Sequence, residues 1–212
     1  MNLSLEAARV LGCLIEKSQA TPEYYPMTLN ALAAACNQKT SRDPIVEYGA
    51  EEVEAALNEL QEKGLCAFVR GDGRVLKYAH RGGENGLELS QAQLAALSII
   101  LLRGPQTVGE IKGRAGRQHE FASPEEAQEV LDGLIARTPP LLEQAPRQAG
   151  QKETRYRHLL FEYAEESEEP SKEIASSSLR VEVEALKQLV AGLQERLAML
   201  ELEVQQIKSD LY

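Results

Sequence analysis

The chain has 212 residues, of which 43% are hydrophobic and 26% charged, and its formal net charge at pH 7 is −10. This length allows two small domains, and the composition is typical of a soluble globular protein. Because no apolar run approaches the roughly 20 residues of a membrane span, and the N-terminus lacks a secretory signal, we expect a cytoplasmic protein with no membrane partner.

The first predicted unit, residues 1–86, reads as three helices followed by a β-hairpin. Apolar residues recur at helical spacing in its first part, and Pro22 and Pro26 end the first helical region. The capping, helix-ending and turn residues predict four elements. They are a helix beginning after Ser4, a second near Thr28, a third over residues 50–63 ended by Gly64, and a hairpin over residues 65–80.

The second predicted unit, residues 87–161, repeats the first. Residues 3–17 align without gaps on residues 89–103, and the later helix and strand patterns also match. Three capping boxes mark its helix starts, namely Ser90 with Gln93, Thr107 with Glu110, and Ser123 with Glu126. Two strands are predicted near its end, over residues 141–145 and 154–159. The fold class is therefore mainly α with small β-hairpins (α+β), arranged as two tandem winged-helix domains.

The C-terminal part has a different character. Residues 162–176 are rich in carboxylates and contain Pro170, which favours an acidic, solvated linker. Residues 177–212 carry five unbroken heptads, which favour a parallel two-stranded coiled coil and hence a homodimer, although an isolated amphipathic helix, one folded back on a wing, and a trimer stay open. The predicted dimerisation residues are Leu179, Val183, Leu186, Val190, Leu193, Leu197, Leu200, Val204, Ile207 and Leu211.

Several strings in the globular part resemble the bacterial YceH family of uncharacterised proteins. They are residues 14–17 (Leu-Ile-Glu-Lys), residues 35–39 with Arg42 and Pro44, residues 101–107, and residues 155–159. The resemblance covers residues 3–160 and implies two winged-helix domains and nucleic-acid binding, with no established activity. Members of that family are expected to end soon after the second hairpin, so the tail here departs from the resemblance.

The charge pattern argues against the usual docking of a winged helix on DNA. Both third helices are acidic on their exposed faces, and carboxylates repel phosphates. The basic residues lie in the segments after the second helices and in the hairpins, which favours contact with the backbone of double-stranded DNA through loops and wings. The candidate nucleic-acid-binding residues are Lys39, Arg42, Arg70, Arg74, Lys77, Lys112, Arg114, Arg117, Arg147, Lys152, Arg155 and Arg157.

Two other interpretations of these residues remain open. The cations could be solvated loop charges paired with nearby carboxylates, and Asn37, Gln38 and Arg42 could cap the second helix and organise the loop to Tyr48. In that case the protein would be an interaction scaffold whose acidic third helices and coiled coil bind protein partners, without direct DNA binding.

The remaining chemistry indicates no enzyme, no catalytic residue, no metal and no cofactor. Cys13, Cys36 and Cys66 are widely spaced among apolar or small residues, which favours reduced, partly buried thiols over a zinc or disulfide framework. His80 and His158 fall at equivalent strand ends, which suggests a repeated structural position. No ordered nucleophile and base or phosphate-binding glycine loop is visible.

Overall fold

The protein is an α+β structure, seen here in a computed structural model that describes residues 2–70, 75–83, 86–146 and 153–161. The predicted linker and coiled coil lie outside the described residues. The elements are α1 (Leu5–Ala20), a short 3₁₀ helix (Pro22–Tyr24), β1 (Met27–Thr28), α2 (Leu29–Cys36), α3 (Ala50–Glu62), β2 (Cys66–Arg70), β3 (Leu76–His80), α4 (Gln91–Arg103), α5 (Val108–Ala115), α6 (Pro124–Ile135), β4 (Leu142–Gln144) and β5 (Tyr156–His158).

The helices begin at capping residues that the sequence marks. Ser4 and Thr28 accept hydrogen bonds from the first turns of α1 and α2, and complete capping boxes start α4 and α5. The third predicted box is only half correct. Ser123 Oγ accepts the Glu126 N–H, but the Glu126 carboxylate accepts the N–H of Ala122 at 2.6 Å instead of that of Ser123.

Two small antiparallel sheets accompany the helices. In the first repeat the strand order is β1-β3-β2, so the two-residue strand β1 lies beside the last strand of the hairpin. The second repeat has the pair β4–β5, and a single bridge between Gln106 and Tyr156 occupies the position that β1 has in the first repeat. The hairpins were predicted, whereas β1 was not, because two residues are too few to show an alternating pattern.

The two repeats pack through their first helices into one compact unit. Gly12 of α1 makes this approach close, since a Cβ there would lie 3.0 Å from the Cβ of Leu101 on α4. Large side chains of both helices are fully buried around this contact, among them Leu11, Leu14, Leu97 and Ile100. Each such side chain contributes roughly 1.5–3 kcal/mol on burial, so the α1–α4 contact is a major part of the core.

Polar contacts also join the repeats. The carbonyl of Leu102, near the end of α4, accepts a hydrogen bond from the buried Arg9 guanidinium at 3.3 Å and another from the Asp43 N–H at 2.8 Å. The Gln19 side chain donates to the carbonyl of Gln91 at 2.8 Å. The loop between α2 and α3 is therefore held against the second repeat.

The cysteines and histidines have the structural character that the sequence predicts. Cys13, Cys36 and Cys66 are buried free thiols. His80 Nδ1 accepts the N–H of Gly82 at 2.9 Å, and His158 Nδ1 accepts the N–H of Leu160 at 3.3 Å. The same contact two residues onward confirms a repeated structural position, and burial lowers the pKa of each imidazole to about 4.

Candidate nucleic-acid interface

The exposed faces of both third helices are acidic, as the sequence predicts. The exposed carboxylates include Glu51, Glu54 and Glu62 on α3 and Glu125, Glu129 and Asp132 on α6. Glu52 and Glu59 instead stabilise local structure: Glu52 accepts the Gly49 N–H at 2.6 Å, and Glu59 accepts the hydroxyl of Ser4 at 2.6 Å. Neither third helix therefore offers a cationic face to phosphates.

Arg42 is a correction to the set of candidate DNA contacts. Its side chain is 0% exposed and forms a two-pronged ion pair with Glu16, at 3.1 and 2.7 Å. It also donates to Gln38 Oε1 at 3.0 Å and to the carbonyls of Ala35 and Ser41. Because its donors are used inside the protein, Arg42 does not reach a phosphate in this structure.

Asn37 completes the loop that Arg42 supports. Its side-chain amide donates to the carbonyl of Tyr48 at 2.8 Å, and its side-chain oxygen accepts the N–H of the same residue at 2.8 Å. Asn37, Gln38 and Arg42 thus organise the segment between α2 and α3. The structural interpretation that the sequence left open holds for these three residues.

Three further candidates are held in ion pairs. Arg155 contacts Glu110 at 2.9 Å and donates to the carbonyl of Pro105 at 2.8 Å. Arg114 lies 3.7 Å from Glu110, and Arg157 lies 2.6 Å from Glu143. Burial opposes the charge on Glu110, but the Thr107 N–H and Arg155 outweigh that effect and lower the pKa of this carboxyl.

Four candidates form no ion pair with the described residues. Lys39 and Arg117 are exposed, while Lys77 and Lys112 are half-buried. Lys39 follows α2 and Arg117 follows α5, whereas Lys112 lies within α5, where the helix starts Thr28 and Thr107 set it opposite Ala33 of α2. Arg74, Arg147 and Lys152 lie outside the described residues, as does the side chain of Arg70.

Two further cations, Lys17 and Arg103, were not among the residues predicted to bind nucleic acid. They close the aligned segments 3–17 and 89–103, so the repeat alignment itself held the signal. The structure brings both to one cleft of about 100 Å³, together with two arginines of the second repeat. Lining residues that matter below are Glu16, Lys17, Arg103, Arg114, Arg117 and Gln118.

Two negative findings apply to the part of the chain that the structure describes. None of its groups of His, Cys, Asp and Glu side chains is arranged to hold a metal ion. Its helices include none with the length and apolarity needed to cross a membrane.

The fold and the residues above define a protein built from two copies of one α+β unit. Residues 3–151 match the family model described as "Protein of unknown function, DUF480". A UPF0502 protein of Geotalea uraniireducens is 48% identical to this chain, and the match covers 96% of the chain and 89% of the relative. A UPF0502 protein of Geobacter sulfurreducens is 46% identical, and the match covers 92% of the chain and 85% of the relative. The chain belongs to this uncharacterised family, which confirms the resemblance found in its sequence.

One relative corrects the expectation about the tail. A UPF0502 protein of Shewanella woodyi is 40% identical to this chain, and the match covers 100% of the chain and 98% of the relative. The C-terminal segment is therefore shared with at least this family member, and treating it as a departure from the family was wrong.

Proposed function

We propose that the protein is a DNA-associated, regulator-like protein with two winged-helix domains, without enzymatic activity, that contacts phosphates through loops and wings. The observation that carries the proposal is the element order of the first repeat. Helix, strand, two helices and a hairpin follow one another, and the first strand lies beside the last one in the order β1-β3-β2. This order is typical of winged helices, many of which bind nucleic acid, and it supports the proposal.

The second repeat supports the same proposal. Its helices α4, α5 and α6 precede the hairpin β4–β5, and the Gln106–Tyr156 bridge stands where β1 does in the first repeat. Lys39 follows α2, Arg117 follows α5 and Lys112 lies within α5. Cations near the second helix of each repeat, on one compact unit, suit a sequence-independent contact with the phosphate backbone.

The salt dependence of duplex binding tests this proposal. Fluorescence anisotropy of a labelled duplex of about 20 base pairs should show binding that weakens steeply between about 50 and 200 mM salt. Lys39→Gln and Lys112→Gln should each flatten the log–log slope by about one unit, because each removes one counterion-releasing contact. Lys63→Gln, at the end of acidic α3, is the matched control and should leave the slope unchanged.

Two results would contradict the proposal. One is the absence of binding at about 50 mM salt, and the other is a slope that the Lys39 and Lys112 variants leave as it is in the wild type. The first result would favour the scaffold alternative.

That alternative has its own supporting observation. The hairpin of the first repeat exposes three apolar side chains, Phe68 (49%), Val75 (62%) and Leu76 (50%), and α3 adds exposed carboxylates. An exposed apolar patch with polar residues at its rim is a common feature of protein-binding sites. The proposed homodimer, through residues 177–212, is compatible with either function.

A further inference from the structure

The cleft between the two repeats concentrates positive charge. Lys17 comes from the end of α1, Arg103 from the end of α4, and Arg114 and Arg117 from the end of α5 and the residues after it. These cations face a single lining carboxylate, that of Glu16. Glu16 is itself occupied, because Arg42 forms a two-pronged ion pair with it and Lys17 lies 3.1 Å from it.

Helix ends do not account for this charge. A helix C-terminus carries about half a negative charge, so the ends of α1, α4 and α5 together offset roughly one and a half of the positive charges. Of the four positive charges of the lining cations, roughly two and a half remain after this correction. Glu110 contacts Arg114 only at 3.7 Å and is shared with Arg155, which holds it at 2.9 Å.

Arg103 is the least satisfied of these groups. No carboxylate of the described residues forms an ion pair with Arg103 or with Arg117, and Arg103 is only partly exposed. Burial and, after it, the charges of Arg114 and Arg42 lower the pKa of the Arg103 guanidinium. Folding thus places this cation where its like-charged neighbours oppose it, which is typical of sites that bind an anion.

The cleft has room for a small anion. Its volume is about 100 Å³, which leaves space for a phosphate group between the lining cations. Guanidinium groups pair with phosphate oxygens through two parallel hydrogen bonds, and two arginines besides Arg103 line the cleft. We propose that this cleft binds a phosphate group, carried either by a small phosphorylated ligand or by the DNA backbone.

Isothermal titration of the full-length protein with inorganic phosphate and with pyrophosphate, in a buffer free of other multivalent anions, tests the proposal. We expect saturable binding of pyrophosphate with one site per chain. Arg103→Gln and Arg117→Gln should each weaken it roughly tenfold or more, because each removes a charged hydrogen-bonding partner. Lys63→Gln removes an exposed cation outside the cleft and should leave the affinity unchanged.

The folding of the variants is checked by thermal unfolding without phosphate. Arg103→Gln should unfold at the wild-type temperature or above it, because the substitution relieves repulsion from Arg114 and Arg42. Pyrophosphate should then raise the unfolding temperature of the wild type more than that of Arg103→Gln.

A parallel titration with a short duplex identifies the source of the phosphate. If Arg103→Gln weakens pyrophosphate binding and leaves duplex binding intact, the ligand is a small phosphorylated molecule. If it weakens both, and pyrophosphate displaces the duplex, a backbone phosphate occupies the cleft. Either of two results would overturn the proposal. In the first, neither anion binds saturably and Arg103→Gln leaves the duplex affinity unchanged. In the second, the anions bind but both arginine variants leave that binding intact.

This inference stands apart from the proposed function. The variants that test duplex binding, Lys39→Gln and Lys112→Gln, change residues outside the cleft lining. Binding of pyrophosphate through Arg103 without duplex binding would support the phosphate site and contradict the proposed DNA binding. Duplex binding that depends on Lys39 and Lys112 and not on Arg103, without anion binding, would support DNA binding and contradict the phosphate site.

Discussion

Replacing Arg42 with methionine should destabilise the protein strongly, although Arg42 sits in an irregular loop. Its side chain is 0% exposed and that of Glu16 is 15% exposed, so the substitution leaves a mostly buried carboxylate without its main partner. Breaking such a pair from one side costs about 3–5 kcal/mol. Glu16 keeps Lys17 at 3.1 Å and some contact with water, which places the expected loss near the lower end, at about 3 kcal/mol.

Urea unfolding followed by far-ultraviolet circular dichroism measures this loss. In a unit of this size a loss of about 3 kcal/mol corresponds to a fall in Tm of roughly 6–12 °C. Lys39→Met is the matched control, since Lys39 is an exposed cation of the same loop and should cost less than about 0.5 kcal/mol. A loss below about 1 kcal/mol for Arg42→Met, or one equal to that of the control, would refute the structural role assigned to Arg42.

The pH dependence gives a second reading of the same pair. Burial alone would raise the pKa of Glu16, but the hydrogen bonds and charge of Arg42 outweigh it and lower this pKa below its ordinary value. The stability from Glu16 is therefore present above the pKa of the unfolded chain and is lost as pH falls through the lower folded pKa. In Arg42→Met this acid-side loss should shrink or change sign, whereas an unchanged slope would contradict the pairing.

The buried histidines, the acidic face of α3 and the C-terminal segment can each be tested separately. Because burial lowers the pKa of His80 and His158 to about 4, each should titrate near that pH by NMR, and midpoints near 6.5 would contradict this. The free energy of unfolding should fall as the pH drops from about 6.5 toward 4, and it should fall less in His80→Gln. Reversing the exposed carboxylates Glu51, Glu54 and Glu62 to lysine should leave the fold intact and strengthen duplex binding in anisotropy, because it removes charges that repel phosphates from α3. Reversing Glu59 should also loosen the start of α1, since Glu59 accepts the hydroxyl of Ser4. Weaker duplex binding by the triple variant would contradict the repulsion assigned to α3. Light scattering should give a dimer for the full chain and a monomer for a chain ending at Glu169. Leu193→Cys should crosslink the dimer, because parallel pairing sets Glu182 against Lys187 and Glu203 against Lys208. A monomeric full-length protein would exclude the coiled coil.

The helices and hairpins were predictable because their signals are local. Ser4, Thr28, Ser90 and Thr107 mark helix starts through their own side chains, and Gly64 marks the end of α3 with a φ of 72°. The repeat alignment then transferred each element of one unit to the other. The equivalent roles of His80 and His158 were found in this way.

The candidate site was less predictable because its residues are sorted by contacts between distant segments. Charge alone cannot distinguish Arg42, which turns inward after Ser41 with its φ of 63°, from the exposed Lys39 nearby. The pairing of Arg155 with Glu110 depends on how the second hairpin packs near α5. The cleft likewise exists only because α1 packs on α4, which brings the chain around Lys17 and Arg103 together.

We propose that DNA meets the segments around the ends of the second helices, α2 and α5, rather than the third helices. Hydrogen–deuterium exchange of the full chain, with and without a saturating short duplex at low salt, distinguishes these two surfaces. We expect slower exchange in peptides that cover residues 37–41 and 112–118 and unchanged exchange over the exposed faces of α3 (Ala50–Glu62) and α6 (Pro124–Ile135). Protection confined to α3 or α6, or no protection at all, would contradict the claim.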